Sequence, residues 1–296
     1  MEMNNDSLPQ THDDEIEKLE ISLLLEGVYR HYGQDFRNYS YPSIRRRIIH
    51  RMQGENVGSI LGLLDKVLHD RNVMDRLFAD FSINVTEMFR EPSFFLAFRR
   101  KIVPQLRNYS AIRIWHAGCS TGEEAYSMAI LLHEEGLYHK TMLYATDMND
   151  KVLRQAAGRT FPLHKMQLYT RNYLQAGGEE AFSQYYSVNE DGVEFKPYLS
   201  ENMIFSQHNL AIDHSFNEFH AIICRNVLIY FNESLQRRVL RLFNESLVES
   251  GYLGLGNKEG LLRAHAVSFE EVDAKEKIYR KAVESADRGT YFVERG

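Results

Sequence analysis

A glycine loop that carries two acids stands between a predicted strand and a predicted helix. The stretch GCSTGEEAYS, residues 118–127, follows the apolar run AIRIW and places Glu123 beside Glu124. The G-x-G-x-x-G pattern of dinucleotide sites is absent, and no lysine follows Gly122 as an ATP-binding loop requires. Two carboxylates would also repel a pyrophosphate. The loop therefore favours a cationic ligand with hydroxyl groups, and S-adenosylmethionine has a sulfonium, an ammonium, a ribose diol and no phosphate.

A third acid supports this interpretation. Asp147 ends the next predicted strand, in YATD, and lies 25 residues beyond Gly122. A Rossmann-like sheet places the acid that binds ribose hydroxyls at this point. The alternative is that Glu123 and Glu124 are first-turn acids, which the helix dipole favours. With Asp147 in place, ligand binding is the stronger interpretation.

The elements that must position these residues fall into two regions. From Glu15 to about Asp80, apolar residues recur at helical spacing, which predicts an all-helical N-terminal domain whose first helix has the stripe Ile16, Leu19, Leu23 and Leu24. Strand-like and helical runs then alternate, which predicts a mostly parallel sheet with helices on both faces and a ligand site at the carboxyl ends of its strands. The predicted divisions are a disordered acidic leader (1–13), the helical domain (14–82), an α/β domain (83–284) with a small antiparallel insertion (162–200), and a C-terminal tail (285–296).

Composition excludes several classes of protein. The chain has 296 residues, is 44% hydrophobic and carries a net charge of −6, so its overall charge does not favour a nucleic-acid partner. Two cysteines, Cys119 and Cys224, indicate a reducing compartment. With no signal-peptide pattern and no run of 18 apolar residues, we expect a cytoplasmic protein that does not insert into the membrane. The twelve histidines show no metal-ligand spacing, so no metal is expected.

Four motifs occur in order along the chain: SINVTEMFRE, GCSTGEEAYS, ATDMNDKVL and CRNVLIYFNESLQ. Together they resemble the motifs of the chemotaxis receptor methyltransferases, the CheR family, over about residues 15–282. The resemblance implies an α/β fold in which a Rossmann-like class I methyltransferase domain carries an all-helical N-terminal domain and a small inserted antiparallel β-subdomain. It also implies that glutamate side chains on the cytoplasmic helical domain of chemoreceptors, the methyl-accepting chemotaxis proteins, receive a methyl group from S-adenosyl-L-methionine, with S-adenosyl-L-homocysteine as the product.

The same resemblance implies the residues of the site. Arg90 and Tyr230 are the implied catalytic residues. Cofactor binding is implied for Asn84, Thr86, Arg90, Gly118, Glu124, Asp147, Asn209, Arg225 and Asn226. The sequence departs from the family at Ala125, where proline is frequent, and at GNKEG, residues 256–260, where many members read Gly-His-Ser-Glu. Only Gly177-Gly178 stands out as glycine-rich in the insertion, so we do not expect it to dock a receptor's C-terminal pentapeptide.

The chemistry agrees with these residue types. Methyl transfer from a sulfonium is an in-line displacement, and a glutamate carboxylate, with a pKa of about 4.3, is already ionised at neutral pH. Catalysis then depends on positioning and water exclusion rather than on a general base. Arg90 is suited to orient a carboxylate because its guanidinium gives directional donors; the alternative is a salt bridge to Glu87 or Glu91. Tyr230 either hydrogen-bonds the incoming carboxylate or is a buried aromatic residue.

A basic helix is the last candidate feature. SIRRRIIHRM places Arg45, Arg46, Arg47 and Arg51 on one predicted helix of an acidic protein. A solvated helix face is the usual explanation for such a run, but the resemblance favours docking of the acidic receptor helices by salt-sensitive steering. Nucleic-acid binding is disfavoured, because no aromatic residues are interleaved with the arginines.

Two other functions stay open. A nucleic-acid methyltransferase is disfavoured by the acidic charge and by the Cys-Arg-Asn-Val ending of the fourth strand, where amino-methylating enzymes carry a Pro-Pro-Tyr motif. A catalytically silent adaptor that binds S-adenosylmethionine is disfavoured by the presence of Arg90, Asp147 and Tyr230.

Overall fold

The structure, a computed structural model, describes residues 8–82, 84–190, 192–262, 265 and 267–283, with side chains from residue 13 onward. Residues 1–7 of the predicted leader and the whole predicted C-terminal tail, 285–296, lie outside the described residues. The helices are α1 (Leu8–Tyr32), α2 (Tyr41–Gly54), α3 (Ile60–His69), α4 (Arg71–Phe81), α5 (Pro92–Ala97), α6 (Val103–Leu106), α7 (Glu123–Glu134), α8 (Asp150–Ala157), α9 (Met166–Gln175) and α10 (Glu233–Ser246). The strands are β1 (Ile112–Ala117), β2 (Thr141–Asp147), β3 (Thr160–Phe161), β4 (Tyr186–Asn189), β5 (Gly192–Phe195), β6 (Met203–Gln207), β7 (Phe219–Cys224), β8 (Leu247–Leu255), β9 (Phe269–Asp273) and β10 (Ile278–Lys281).

Helices α1 to α4 form the N-terminal domain around one core, as the periodicity predicted. Gly33, with a left-handed φ of +72°, follows the end of α1, and Pro42 lies in the first turn of α2. Helices α2, α3 and α4 contribute to the same core as α1, and their buried side chains are Ile44, Ile48, Ile60, Leu63, Val67, Val73, Met74, Leu77 and Phe81.

The predicted stripe of α1 was wrong in three of its four positions. Ile16, Leu19 and Leu23 are exposed, and the buried side chains of α1 are Ile21, Leu24, Leu25 and Val28. The helix carries two apolar stripes, and periodicity does not reveal which of them the rest of the domain covers. Residues 8–13, assigned to a disordered leader, lie in α1, because a helix can continue into solvent beyond its buried stripe.

The larger domain is built on a seven-stranded sheet in the order β6-β2-β1-β7-β8-β10-β9. The first five strands are parallel, and β10 runs antiparallel to both β8 and β9. Helices cover both faces: Ile114 of β1 belongs to the core that contains α5 and α7, while the next residue, Trp115, belongs to the core that contains α10. Alternate residues of a strand point to opposite faces, so the central strand is buried on both sides. The predicted Rossmann-like α/β fold is confirmed.

The predicted insertion contains a three-stranded antiparallel sheet in the order β3-β5-β4, together with α9. Its first strand begins at Thr160, two residues before the predicted boundary. The carboxylate of Glu134 on α7 holds this subdomain in place, because it accepts hydrogen bonds from the hydroxyls of Tyr173 and Tyr185. The same carboxylate forms an ion pair with Arg99. The insertion is thus fixed to the domain that it interrupts.

Candidate active site

A cleft of about 910 Å³ opens at the carboxyl ends of the parallel strands. This is the edge at which ligands of open α/β sheets bind. All ten residues that the resemblance implied for cofactor binding and catalysis line it: Asn84, Thr86, Arg90, Gly118, Glu124, Asp147, Asn209, Arg225, Asn226 and Tyr230. The motifs are up to 146 residues apart in sequence, and the strand order brings them together in one place.

Four backbone amides of the glycine loop already have acceptors within the protein. Each of the first three donates to a protein acceptor at the end of β2, and the fourth donates within the loop. The bonds are Gly118 N and Cys119 N to Thr146 O at 2.8 Å, Ser120 N to Asp147 Oδ2 at 3.0 Å, and Gly122 N to Cys119 O at 3.0 Å. A phosphate site at a helix start needs free amides that point at the anion. These four amides are therefore not free to bind a phosphate.

Glycine is required at two positions of the loop. Gly118 has a φ of +79°, and a Cβ atom there would lie 2.6 Å from Cγ2 of Val227. Gly122 has a φ of +92°, and its Cβ would lie 2.8 Å from that of Ala156. Side chains would strain both left-handed conformations and push the loop away from its neighbours. Val227 follows β7, which lies next to β1 in the sheet. Because Gly118 has no side chain, Val227 can pack directly against the glycine loop.

The two adjacent acids face different surroundings, and only one of them reaches the cleft. Glu124 lines the cleft, whereas Glu123 is buried away from it and accepts hydrogen bonds from Thr121 Oγ1 at 2.6 Å and from the Tyr169 hydroxyl at 3.2 Å. Consecutive residues of a helix point about 100° apart, which explains the difference. The expectation that both acids face the ligand is therefore corrected to Glu124 alone.

Glu124 belongs to a buried ion-pair network. One of its carboxylate oxygens accepts from His116 Nδ1 at 3.0 Å and the other from Arg225 Nη1 at 2.9 Å. Arg225, whose side chain is fully buried, also donates to Glu91 at 2.9 Å and lies over the ring of Phe94, 4.2 Å from its centroid. Burial would raise the pKa of Glu124, but the hydrogen bond from His116 and the charge of Arg225 outweigh it and hold that pKa below its usual value.

Asp147 is held by backbone donors. Its oxygens accept from Ser120 N at 3.0 Å and from Asn149 N at 2.9 Å. Burial raises the pKa of this carboxyl, although the backbone hydrogen bonds oppose the shift. Each carboxylate oxygen has a second lone pair, so Asp147 is fixed in place and can still accept hydrogen bonds from a ligand hydroxyl.

The charged side chains that line the cleft are two carboxylates, those of Glu124 and Asp147, and two guanidinium groups, those of Arg90 and Arg225. Arg225 is paired with Glu124 and with Glu91 beside the cleft, so the carboxylate of Asp147 is not neutralised by an ion pair within the described residues. An unpaired carboxylate of this kind suits a ligand that presents hydroxyls. Among the described residues, no group of three or more histidine, cysteine, aspartate or glutamate side chains is arranged to bind a metal ion.

Arg90 has no acidic partner among the residues that the structure describes. Its Nη1 donates to the carbonyl of Val85 at 2.8 Å, and the proposed alternative, a salt bridge to Glu87 or Glu91, is not formed because Glu91 pairs with Arg225. The residues on either side of Arg90, Phe89 and Glu91, have φ values of 50° and 56°. Left-handed backbone at residues other than glycine persists only where the surroundings enforce it, so the path of the backbone on both sides of Arg90 is strongly specified.

Tyr230 lies beside the N-terminal domain at the rim of the cleft. Its backbone carbonyl accepts from Ser40 N at 2.7 Å, and the guanidinium of Arg47 lies 5.6 Å from the centre of its ring. In the described part of the chain, its hydroxyl makes no hydrogen bond. The ring is partly buried and the hydroxyl remains available.

The four arginines that were predicted to form a basic face on α2 make different contacts. Arg45 pairs with Glu17, and Arg51 pairs with Asp80 and Glu55, so both are held within the N-terminal domain. Arg47 donates to Ser43 and contacts the Tyr230 ring. Arg46 is exposed and has no ion-pair partner within the described residues. Two of the four arginines thus remain for a partner, and one of these reaches the cleft.

Sequence patterns did not predict that the N-terminal domain contributes a residue to the cleft. Tyr39, in the turn before α2, lines it, and its hydroxyl donates to Met148 Sδ at 3.3 Å. Its ring also packs edge-on against Phe231, 5.0 Å away between centroids. No motif marks this position, because its role arises only when the two domains pack together.

Comparison with known proteins gives a consistent picture. The family profile described as CheR methyltransferase, SAM binding domain, matches residues 84–278, and the one described as CheR methyltransferase, all-alpha domain, matches residues 19–82. A Pseudomonas putida protein described as a candidate methyltransferase, Cher3, is 44% identical over 265 residues, which cover 89% of this chain and 97% of that protein. The chemotaxis protein methyltransferase of Borreliella burgdorferi is 30% identical over 82% of this chain and 89% of its own length. That of Salmonella typhimurium is 26% identical over 78% and 80%.

Within the residues that the structure describes, no helix has the length and apolar character needed to cross a bilayer.

Proposed function

The chain belongs to the CheR family of S-adenosylmethionine-dependent methyltransferases, and on that premise we propose that it methylates glutamate side-chain carboxylates on the cytoplasmic helices of chemoreceptors or of related sensory proteins. One observation carries the proposal. Every carboxylate at the cleft is held by protein donors, whereas Arg90 and Tyr230 at its rim keep hydrogen-bonding capacity that no acid among the described residues uses. The site is thus prepared to receive an anion from outside.

The residues of the cleft fit S-adenosylmethionine as the methyl donor. When bound, it supplies a methyl group activated by its sulfonium. Asp147 is placed to accept the ribose hydroxyls, and Asn209 lies at the same end of the cleft for the adenine. The carboxylates of Glu91 and Glu124 give the opposite end a negative field for the ammonium and sulfonium, and they position Arg225 and, through it, the backbone at Arg90.

Arg90 and Tyr230 act on the acceptor. The Arg90 guanidinium has donors left after its bond to Val85 O, and a charge-assisted bond from it can fix the orientation of a glutamate carboxylate. The Tyr230 hydroxyl gives a second donor from the other side of the cleft. Neither group removes a proton, because the acceptor is ionised at neutral pH. Their contribution is to hold one oxygen in line with the methyl group while the surrounding residues exclude water.

Arg46 and Arg47 extend the acceptor side onto the surface of α2. Arg46 is exposed and Arg47 contacts the Tyr230 ring, so the two cations form a short basic path that leads to the cleft. Receptor helices that carry methylatable glutamates are acidic, so this path is placed to steer them by long-range attraction. Asn84 and Thr86 line the same rim from the segment that joins the two domains.

Transfer to isolated receptor domains tests the proposal. The protein is incubated with methyl-labelled S-adenosylmethionine and cytoplasmic chemoreceptor fragments, and the label is then treated with mild base. A glutamate methyl ester releases labelled methanol, whereas methylated amines and nucleobases keep the label. Receptor-dependent, base-labile label supports the proposal. Base-stable label, or label on nucleic acid instead of protein, would refute it, and binding of the donor without any transfer would support the silent adaptor.

A further inference from the structure

One buried carboxylate outside the cleft gathers four backbone amides. Glu259 follows β8 and is 8% exposed. Its Oε1 accepts from Val227 N at 2.8 Å and Ile229 N at 3.3 Å, and its Oε2 accepts from Asn226 N at 2.9 Å and Gly256 N at 2.7 Å. Three of these donors belong to the segment Asn226–Tyr230, which lines the cleft. A carboxylate has about four acceptor positions, and here all of them are directed at backbone.

The segment that Glu259 holds needs such support. It leaves β7 after Arg225 and turns sharply at Asn226, which has a left-handed φ of 61°. Asparagine tolerates this conformation better than most residues, but the conformation still has a cost outside glycine. Once the turn is made, the amides of three residues point at one spot and away from the cleft. Without an acceptor there, these buried donors would be unsatisfied.

Gly256 completes the arrangement. A Cβ atom at this position would lie 2.8 Å from Glu259 Oε2 and 2.9 Å from Asn226 N. The close approach of the two loops therefore excludes any side chain at residue 256. This also explains the departure GNKEG from the family pattern Gly-His-Ser-Glu: the two altered residues, Asn257 and Lys258, are exposed, and the glycine and the glutamate that form the contact are kept.

We propose that Glu259 is a positioning residue for methyl transfer, which acts through the backbone of residues 226–229 to set where Asn226 and Tyr230 stand in the cleft. The proposal rests on the function proposed above, because the acceptor side is the part that it positions. Glu259 does not line the cleft and touches neither substrate. Its effect is expected to be larger on the rate of transfer than on the binding of the donor, since Asn226 is the one residue of this segment implied in donor binding, whereas Asp147 and the glycine loop lie on other strands.

Glu259→Gln is the first test, since glutamine keeps the volume but turns a donor toward two of the four amides. Hydrogen–deuterium exchange of the peptide that covers residues 225–230 should become faster by about tenfold or more, while peptides of β1 and β2 keep their protection. The kcat for receptor methylation should fall about tenfold, with the Kd for S-adenosylhomocysteine within about threefold of wild type. Lys258→Gln, one residue earlier in the same turn and exposed, is the matched control and should change none of these.

Gly256→Ala supplies a second route to the same segment, because its Cβ would displace Asn226 or Glu259. It should reproduce the fast exchange and the lower kcat. Unchanged exchange and kcat in both variants would overturn the proposal, and so would faster exchange spread evenly over the whole domain with an equal loss of donor binding, which marks a purely structural role. The exchange and binding measurements need no acceptor protein. If wild-type protein transfers no methyl group to any receptor, the proposed function fails while these measurements still decide whether Glu259 holds the segment.

Discussion

The two sides of the cleft differ in how their polar groups are satisfied. On the donor side, Asp147, Glu124 and four amides of the glycine loop have protein partners. On the acceptor side, Arg90 and Tyr230 have unused donors, and Arg46 has no partner in the described part of the chain. One side is preorganised within the fold, and the other is left open at the interface with the N-terminal domain.

This contrast separates two demands on a methyltransferase of this kind. The donor molecule is the same in every turnover, so its site can be fixed in advance, and fixed groups lose little entropy on binding. In the proposed reaction the acceptor is a side chain on another protein, and the groups that orient it must be free when it arrives. Variants on the two sides should therefore fail in different ways.

The largest effect is expected on the donor side. Glu124→Ala leaves the buried guanidinium of Arg225 with Glu91 as its remaining carboxylate, and loss of one partner of a buried pair costs about 3–5 kcal/mol. We expect the free energy of unfolding to fall by about that amount and both donor binding and transfer to be lost. Chemical denaturation and calorimetry check this, with Glu124→Gln, which keeps an acceptor, as the intermediate case. An unchanged unfolding midpoint would show that the network does not support the cleft.

Arg90→Ala is the corresponding variant on the acceptor side. Removal of a charge-assisted hydrogen bond of about 1.5–3 kcal/mol should lower the rate of transfer about 10- to 150-fold. The Kd for S-adenosylhomocysteine and the stability should stay close to wild type, because Arg90 has no acidic partner in the described structure. Arg90→Lys keeps the charge without the planar fork and should lie between the two. Equal losses in binding and in transfer would place Arg90 on the donor side and remove the contrast.

Tyr230→Phe removes only the hydroxyl. The ring keeps its contact with Arg47, and the loss of one hydrogen bond of about 1 kcal/mol should lower the rate of transfer about fivefold. Donor affinity and thermal stability should not change. Single-turnover kinetics and thermal unfolding give the two readings, and a rate equal to that of wild type would leave Tyr230 as a packing residue.

The smallest effect is expected on the surface of α2. Arg46→Glu should lower kcat/KM for a receptor fragment by about three- to tenfold at low ionic strength, and the loss should shrink toward none near 0.5 M salt because screening weakens steering. Arg100→Glu, an exposed arginine that does not line the cleft, is the matched control. A loss that is independent of salt, or the same loss in the control, would contradict a steering role.

Much of this site was readable from sequence because its residues follow strands. Gly118, Asp147 and Arg225 come directly after or at the end of parallel strands, and one edge of the sheet collects them whatever the loops between them do. The resemblance added Asn84 and Asn209, and these also line the cleft. Local sequence pattern and sheet topology were sufficient to predict that these residues lie at one edge of the sheet.

The hydrogen-bond and ion-pair partners of these residues could not be predicted from the sequence, since they depend on packing between distant segments. Nothing near Arg225 in sequence indicates that it pairs with Glu124, 101 residues away, and also with Glu91, which leaves Arg90 without an acidic partner among the described residues. The same applies to the exposed stripe of α1 and to the division of the arginines on α2. Glu259 is the clearest case, because its role is visible only once four amides are seen to meet at it.

The central claim is that the open side of the cleft receives an acceptor that is already an anion. The pH dependence of a single turnover tests it most directly, with enzyme, saturating S-adenosylmethionine and a receptor fragment mixed at a series of pH values. A carboxylate acceptor with a pKa of about 4.3 should give a rate that is flat from about pH 6 to about pH 9, because no proton has to be removed. A rate that rises about tenfold per pH unit over this range would show that an amine or a hydroxyl must be deprotonated first, and would contradict the account.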